Sequence, residues 1–506
     1  MYTSIIHSAL DNWTSWSWIL PGLILTATLL ILLGVDVLLP DRYRLWGIHL
    51  VPTVGICLAL YVTIGFSSNH QVQAGRYLAN HMLVMDLWSV FWHRLLLSVT
   101  GITLLVEAIY PTAIDRALHR TLFISTLLGA YGLIMASHGL TIYLSLALIT
   151  VAYTTIIYVA CPQKPTCTLA SLQYILYSIV VSMMMLWGLS YWYGVTGSFS
   201  LDVSDITLGA IPRHTIWIGC FLALSGLFLV MGIFPFHYWL VDVYQTLPPQ
   251  LVAHMATVPK LAAVACIVRW YGYLASQLHS IHTQLQDTLS ILALLTISLG
   301  HITALTQKQP RRIWAYGSIV QGGFLLAGLA AGVQHYASIA YYGVVYAVTT
   351  LSSWVGFRML QARDGEHVAD YVGLGRQYPD VGLHFLVAVF SLVGLPPTGG
   401  FPAKFFIFSA LWEALQTTRS PLVAVLCGVS WGGSVVAMYY YFPFIYALFS
   451  NPTRKKCTVE ASIPLAARML LFLLSMTLLG LFVGAGKYRD WLVTYAPVVS
   501  GRHAVR

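Results

Sequence analysis

The chain has 506 residues, and only 8% of them are charged, against roughly 25% in an average soluble protein. Hydrophobic residues make up 58% of the chain, and the mean hydropathy is +0.75. A soluble protein of this length needs a charged surface around its core, and so few charges cannot provide one. The composition therefore excludes a cytosolic globular enzyme, a disordered chain and a nucleic-acid-binding protein.

Apolar stretches of about 20 residues recur along the chain, each long enough to cross roughly 30 Å of hydrocarbon as a helix. The polar links between them are too short for a soluble domain. We therefore predict an all-α polytopic membrane protein with about fourteen transmembrane helices. The predicted spans are 17–39, 45–66, 87–110, 119–137, 139–160, 168–194, 214–235, 248–273, 287–306, 312–333, 337–360, 382–416, 421–449 and 464–485.

The distribution of basic residues predicts the orientation of these spans. Links after odd-numbered spans hold thirteen Lys and Arg residues, and links after even-numbered spans hold three. By the positive-inside rule the odd links lie inside, so with fourteen spans both termini lie outside. The basic C-terminal tail is the exception. Residues 1–16 contain no Lys or Arg, so the first span is predicted to be a retained helix rather than a signal peptide.

Two lysines lie deep inside predicted spans. Lys260 in span 8 and Lys404 in span 12 are about 10 residues or more from the ends of their spans, roughly 15 Å and too far to snorkel. A charge at this depth costs at least a few kcal/mol, so it is a functional candidate by default. We predict that both lysines carry protons. The alternative is a structural lysine that bonds carbonyls freed at a helix break.

Other ionisable groups in the spans are weaker candidates. His254 in span 8 and His301 in span 9 have the chemistry to pass protons near neutral pH, although a buried histidine is more often simply hydrogen-bonded. Arg94 and Glu107 share span 3 but are 13 residues apart, about 20 Å along a helix, which excludes an ion pair between them. We expect Glu107 to reach water at the inner end of its span, and Glu413 at the outer end of span 12.

Prolines and glycines interrupt two of the spans. Pro235 breaks span 7, and Pro396, Pro397, Gly399 and Gly400 break span 12, five spans later. Such breaks free backbone groups, which a membrane tolerates only beside protein or water. Matched breaks in two halves are typical of inverted repeats around a polar pathway.

These breaks predict two inverted five-helix repeats flanked by further helices. The predicted units are 1–118 (helices 1–3), 119–273 (first repeat, helices 4–8), 274–449 (second repeat, helices 9–13) and 450–506 (helix 14 and the tail). Taken alone, this pattern indicates an ion transporter of unknown cargo.

The same region carries a resemblance to a known family. The chain resembles the proton-antiporter-like membrane subunits of respiratory complex I, most closely the N type of bacterial NADH:quinone oxidoreductase. About 20 residues follow the last predicted span, too few for the long C-terminal helix of the L type, and VDVYQ favours the N type. The matching segments include PFHYWLVDVYQTLPPQLVAHMATVPK (235–260), GHITALTQKQPRRIWAYGSIVQGGFLLAGLAAG (300–332), YYGVVYAVTTLSSW (341–354) and SLVGLPPTGGFPAKFFIFSALWEA (391–414).

The resemblance implies a membrane-arm subunit that couples quinone reduction to proton translocation in a bacterial inner membrane. In that membrane, the distribution of basic residues predicts that both termini are periplasmic. The subunit's partners would be other membrane-arm subunits and the lipid bilayer, with no nucleic acid. No cofactor or metal is expected in this chain, whereas NADH, FMN, iron–sulfur clusters and quinone would bind partner subunits. The seven scattered cysteines match no zinc or iron–sulfur spacing.

The chain departs from the family at relay positions of the first repeat. The family's glutamate in helix 5 is Ala147 here, its lysine in helix 6 is Gln173, and its lysine in helix 7 is Val230. A histidine often found in helix 10 is Gln321. Ala, Gln and Val cannot titrate, so the usual input side of the relay is lost.

Two interpretations of this loss remain open. Water reaches Lys260 another way, through His254 or tyrosines, or the subunit is a passive spacer that does not pump. A different alternative for the whole chain is a subunit of a non-redox cation/proton antiporter or of an ion-driven inorganic-carbon uptake complex.

Overall fold

A computed structural model describes residues 2–38, 41–66, 75–79, 81–110, 116–160, 165–201, 213–277, 279–360, 367–451, 463–499 and 502–503. Two cysteines and five basic residues counted above lie outside these ranges: Cys161, Cys457, Lys164, Arg363, Arg454, Lys455 and Lys456.

Helices make up almost all of the described residues, and the strands are limited to two short antiparallel pairs. The helices are α1 (Tyr2–Leu38), α2 (Asp41–Phe66), α3 (Leu87–Ile109), α4 (Arg116–Met135), α5 (Gly139–Ala160), α6 (Pro165–Thr196), α7 (Arg213–Met231), α8 (Tyr238–Thr246), α9 (Pro249–Gln277), α10 (His279–Leu305), α11 (Pro310–Ala330), α12 (Tyr336–Met359), α13 (Leu374–Gln377), α14 (Pro379–Val393), α15 (Gly400–Thr418), α16 (Pro421–Phe449), α17 (Leu465–Val483) and α18 (Ala485–Val493). The strands are β1 (Arg76–Leu78), paired with β2 (Leu83–Met85), and β3 (Val498–Val499), paired with β4 (Arg502–His503).

The predicted all-α polytopic class is confirmed. Within the described ranges, twelve helices are long and apolar enough to cross a membrane. Each of the fourteen predicted spans coincides with a helix or with a pair of consecutive helices. Two predicted spans fall outside the twelve. One is α12, whose buried Tyr, Ser and Thr residues lower its hydropathy, and the other is the interrupted pair α14 and α15.

Both predicted interruptions are present. The helix of span 7 ends at Met231 and resumes at Tyr238, with Pro235 between them. The helix of span 12 ends at Val393 and resumes at Gly400. A glycine with positive φ follows each first half, Gly232 (φ +71°) and Gly394 (φ +89°), a conformation that glycine adopts without a steric penalty.

The second break also depends on the close approach of two backbone segments. A Cβ on Gly400 would lie 1.9 Å from the carbonyl oxygen of Ser391, a backbone atom that cannot move aside. Glycine at this position therefore lets the start of α15 pack against the end of α14.

Helix α9 lies at the centre of the molecule, and residues 249–274 are all buried. Helix α11 is also buried over nearly its whole length, whereas α1, α2, α6 and α16 each expose large apolar side chains. Such an apolar exterior is the surface that a lipid bilayer covers. The polar groups on α9 and α11 therefore lie inside protein. The division into two inverted repeats stays a prediction.

Candidate functional site

Lys260 is fully buried in the middle of α9 and faces α11 and α12. Its Nζ donates to the carbonyl oxygen of Ser318 at 2.7 Å and contacts Ser318 Oγ at 2.9 Å. Nζ also lies 5.4 Å from the centroid of the Tyr346 ring. Pro259 precedes the lysine, but α9 continues through it as one helix. Among the described residues Lys260 forms no ion pair, so its contacts are dipoles and an aromatic face.

Lys404 lies in the first turns of α15, folded back onto the end of α14. Its Nζ donates to the carbonyl oxygen of Val393 at 2.8 Å, the last residue before the break, and contacts Ser434 Oγ at 3.3 Å. The lysine is 4% exposed, and its Nζ lies 4.7 Å from the centroid of the Phe324 ring. The helix break therefore supplies a carbonyl that would otherwise be hydrogen-bonded inside a helix.

Hydroxyl and amide groups join the surroundings of the two lysines. Ser318 Oγ lies 3.0 Å from Tyr346 Oη, and Tyr346 Oη donates to the carbonyl oxygen of Ala256 at 2.8 Å. Tyr342 Oη donates to Gln321 Oε1, and Gln321 Nε2 donates to the carbonyl oxygen of Leu392 at 3.2 Å.

A small cavity lies between these groups. Its volume is about 10 Å³, enough for about one water molecule. Tyr346, Gln321, Tyr342 and Lys404 contribute to its lining. Tyr346 also bonds Ser318, the partner of Lys260. The connection between the two lysines therefore consists of Ser318, Tyr346 and this cavity.

His254 is fully buried on another face of α9 from Lys260. Its Nδ1 lies 2.8 Å from Tyr153 Oη, and its Nε2 lies 3.3 Å from Thr100 Oγ1. The ring of Phe123 packs edge-on against the imidazole, with centroids 4.2 Å apart. Both ring nitrogens therefore have hydroxyl partners, a geometry that suits either a satisfied core histidine or a proton carrier.

His301 on α10 is close to the second break. Its Nδ1 lies 3.2 Å from Tyr440 Oη. A Cβ on Gly433 would lie 2.6 Å from its Nε2, so this glycine makes room for the imidazole. Gly433 precedes Ser434, a contact of Lys404, which places His301 at the α16 side of the Lys404 site.

The three positions where the resemblance predicts a lost relay residue differ in their surroundings. Ala147 is partly buried on α5, and Val230 is buried at the end of α7 among apolar side chains. Gln173 Nε2 on α6 donates to Asp242 Oδ2 at 3.4 Å, and Arg312 pairs with the same carboxylate at 3.4 Å. None of these three positions can carry a proton, whereas a carboxylate remains beside Gln173.

Two buried ion pairs were not predicted from the sequence. Arg269 Nη2 lies 2.8 Å from Asp86 Oδ1, and both side chains are fully buried, joining α9 to the start of α3. Glu107 does not reach water, contrary to the expectation: its Oε1 lies 2.7 Å from His119 Nδ1, and it is 3% exposed. The expectation was wrong because His119 on the neighbouring α4 packs against the carboxylate and keeps it buried.

Arg94 and Glu107 have different partners, and that of Glu107 is His119. Arg94 instead donates to the carbonyl oxygens of Thr63 and Ile64 on α2. In the described ranges no group of three or more His, Cys, Asp or Glu residues is arranged to hold a metal ion. Among the described side chains, Cys57, Cys220, Cys266 and Cys427 are free cysteines.

Residues 136–430 match the family described as "NADH:quinone oxidoreductase/Mrp antiporter, TM". This stretch is more than half of the chain and contains both broken helices and both buried lysines. The chain belongs to this family. The resemblance inferred from the motifs is thus confirmed at the level of the family.

Relatives of known name extend the match over most of the chain. The NADH-quinone oxidoreductase subunit N of Ruthia magnifica subsp. Calyptogena magnifica is 27% identical over 481 residues, covering 93% of this chain and 96% of the relative. The subunit N of Thiobacillus denitrificans (strain ATCC 25259 / T1) is 30% identical over 464 residues, covering 89% of this chain and 91% of the relative.

Solved structures share the fold of this family member. A chain of respiratory complex I from Thermus thermophilus with bound aureothin superposes with a TM-score of 0.78 at 24% identity, over 94% of this chain and all of the other. A chain of the Mrp complex from Dietzia sp. DQ12-45-1b gives 0.79 at 18% identity, over 94% and 97%. The architecture is therefore shared with chains of both complexes.

Proposed function

We propose that this chain is an N-type membrane-arm subunit of an NADH:quinone oxidoreductase in a bacterial inner membrane. The family match and the two subunit N relatives support this role. Other membrane-arm subunits and the bilayer surround it, and NADH, FMN, iron–sulfur clusters and quinone bind elsewhere in the complex. Both termini lie on the outer side, as the distribution of basic residues predicts.

Within that complex, Lys260 and Lys404 carry protons through the second half of the subunit. The observation that supports this role is the short polar connection between them: Lys260, Ser318, Tyr346, the cavity beside Gln321, and Lys404. No anion of the described chain neutralises either lysine. Each therefore keeps a proton only as long as serine, tyrosine and carbonyl dipoles stabilise the charge, which is the condition for reversible loading.

The test is to replace each lysine with alanine and measure protons translocated per NADH oxidised, using assembled complex in sealed vesicles. We expect Lys260→Ala and Lys404→Ala to lower this ratio while the complex still assembles. The matched control is Lys308→Ala, because Lys308 is exposed in the link before α11. An unchanged ratio in both buried-lysine variants, with normal assembly, contradicts the proposal.

A passive spacer is the second candidate, and Ala147, Gln173 and Val230 favour it. A spacer predicts that Lys260→Ala and Lys404→Ala alter stability but leave the proton-to-NADH ratio at its original value. A cation/proton antiporter complex would instead give cation-dependent proton exchange in vesicles that receive no NADH. The lysine variants thus separate the first two roles, and the assay without NADH identifies the third.

A further inference from the structure

A buried acid–histidine pair lies at the junction of α3 and α4, away from the lysine pathway. Glu107 Oε1 and His119 Nδ1 are 2.7 Å apart, and the two side chains are 3% and 2% exposed. Arg120 Nε lies 4.0 Å from the other carboxylate oxygen, and Arg120 also donates to the carbonyl oxygen of Ile48 at 2.7 Å. His49 on α2 interacts electrostatically with the same carboxylate. The pair thus belongs to a buried cluster of titratable groups, and the Arg120 guanidinium adds a permanent positive charge beside it.

The direction of the helices places this pair relative to His254. A β-bridge between Leu83 and Ala136 puts the start of α3 beside the end of α4. The ion pair between Asp86 and Arg269 puts the start of α3 beside the end of α9. Helices α4 and α9 therefore run in the same direction, and α3 runs against both. The Glu107 end of α3 lies at the face where α4 and α9 begin, which is the predicted inner face.

The register of α4 against α9 follows from one ring contact. Phe123 packs against His254, with centroids 4.2 Å apart. One helical turn earlier on the same faces are His119 on α4 and Gln250 on α9, because residues four apart share a helix face. His119 and Gln250 therefore lie at one level, about 6 Å from the level of His254 towards the inner face.

Polar atoms without partners are concentrated at this level. Gln250 is 1% exposed, and neither its Oε1 nor its Nε2 has a hydrogen-bond partner among the described residues. His119 Nε2 and Glu107 Oε2 also lack one there. Buried polar groups are normally satisfied by protein or by internal water. Four unsatisfied atoms on three neighbouring helices therefore mark a place for bound water.

On its other side, His254 connects to the lysine pathway through tyrosines. Its Nδ1 lies 2.8 Å from Tyr153 Oη. Tyr153 in turn lies within electrostatic range of Tyr244, and Tyr244 interacts with both Ser318 and Tyr346. Ser318 is the hydrogen-bond partner of Lys260. The hydroxyl groups of Tyr153, Tyr244 and Ser318 therefore lie between the imidazole and the lysine, on a route that does not include Ala147, Gln173 or Val230.

We propose that Glu107 and His119 form the proton-uptake site of this chain, and that water held by Gln250 passes the proton to His254. The site takes over the input role that a glutamate on α5 has in relatives and that Ala147 cannot perform. Only O–H and N–H bonds form and break. Glu107 accepts the Nδ1–H of His119 throughout. A proton from the inner side adds to His119 Nε2, the carboxylate stabilises the imidazolium, and the new N–H bond then breaks as the proton passes through water and the Thr100 hydroxyl to His254 Nε2. Glu107 and His119 thus end in their starting charge, and His119 in its starting tautomer. This inference rests on the proposed function, because it needs a lysine pathway to receive the proton.

The decisive variant is Gln250→Leu. It removes two unsatisfied buried atoms, breaks no hydrogen bond within the described chain and nearly conserves volume, so folding should be unaffected or improved. We expect the ratio of protons translocated per NADH oxidised to fall to the value of Lys260→Ala. The double variant Gln250→Leu with Lys260→Ala should lose no more than Lys260→Ala alone, because both changes interrupt one pathway.

Glu107→Gln is a second, independent variant and should give the same loss, whereas Glu413→Gln is the control because Glu413 is exposed. If Gln250→Leu keeps the original ratio of protons translocated per NADH oxidised, the proposed uptake site is wrong. It is also wrong if the double variant loses more of this ratio than Lys260→Ala alone. These failures are distinguishable from failure of the proposed function. If only the uptake site is wrong, Lys260→Ala still lowers the ratio of protons translocated per NADH oxidised. If the proposed function is wrong, Lys260→Ala leaves that ratio unchanged.

Discussion

The two interrupted helices have the same outline but hold different chemistry. In each, an apolar helix ends at a glycine with positive φ and a second helix begins six residues later. At the second break the carbonyl of Val393 accepts a bond from Lys404, and that of Leu392 accepts one from Gln321. At the first break the partners are neutral: Thr296 accepts from the Phe234 amide.

The difference teaches that a helix break in a membrane does not by itself make an ion site. Both breaks expose backbone groups, and both satisfy them inside protein, as a membrane requires. Only the second places a titratable side chain on the freed carbonyl. The first has a similar backbone outline, but the uncharged Val230 stands where the family resemblance implies a lysine.

The largest expected effect comes from filling the close approach at the second break. Gly400→Ala would place a Cβ 1.9 Å from Ser391 O, so we expect a destabilisation of about 3 kcal/mol or more and loss of assembled complex. Assembly in membranes, assessed by native electrophoresis, measures this. Gly428→Ala is the control, because nothing lies within 4 Å of that position. Normal assembly of Gly400→Ala would mean that the break relaxes easily.

Introducing a lysine at the first break should have the next largest effect. Val230 is 5% exposed, so Val230→Lys buries a charge with no anion to receive it, at a cost of about 2–3 kcal/mol. The thermal unfolding temperature of the purified complex should fall, whereas Val230→Met, of similar length but uncharged, should change it little. Equal stability of the two variants would show that water already reaches the first break, and would remove the contrast between the halves.

The smallest effect is expected beside Asp242, where the carboxylate remains available. Gln173→Lys should form an ion pair with Asp242, which is 47% exposed, and stabilise the complex by less than about 1 kcal/mol. Gln173→Glu should destabilise it by a similar amount through repulsion between the carboxylates. Both shifts should shrink at high salt. Salt-independent shifts, or shifts of one sign for both variants, would contradict this assignment.

Much of the fold followed from local pattern. Apolar stretches of membrane length predicted the spans. Pro235 predicted the first break and the Pro–Gly cluster at 396–400 the second, each within a few residues. Lys260 and Lys404 were identifiable because a lysine so far from a span end is rare enough to stand out. Their contacts were not, because Ser318, Tyr346 and Val393 are ordinary residues whose role depends on which helices meet.

Glu107 illustrates the limit of single-helix reasoning. Considered on α3 alone, a glutamate near a span end is expected to reach water, and the partner that keeps it buried is His119 on α4. The fully buried pair of Asp86 and Arg269 was not predicted for the same reason, because 183 residues separate its members. A sequence pattern marks where a charge lies along one helix, but it does not specify which charge on another helix faces it.

By itself, then, the sequence determined the membrane class, the spans, the two breaks, the two deep lysines and the presence of the non-titratable residues Ala147, Gln173 and Val230. These are properties of hydropathy and of single residues, which local spacing expresses directly. Only the tertiary structure decided that one small cavity connects the surroundings of the lysines. It also decided that Glu107 on α3 pairs with His119 on α4, one helical turn before the contact between Phe123 and His254. Those relations depend on the packing of distant helices, since a buried polar group depends on the partner that the fold supplies.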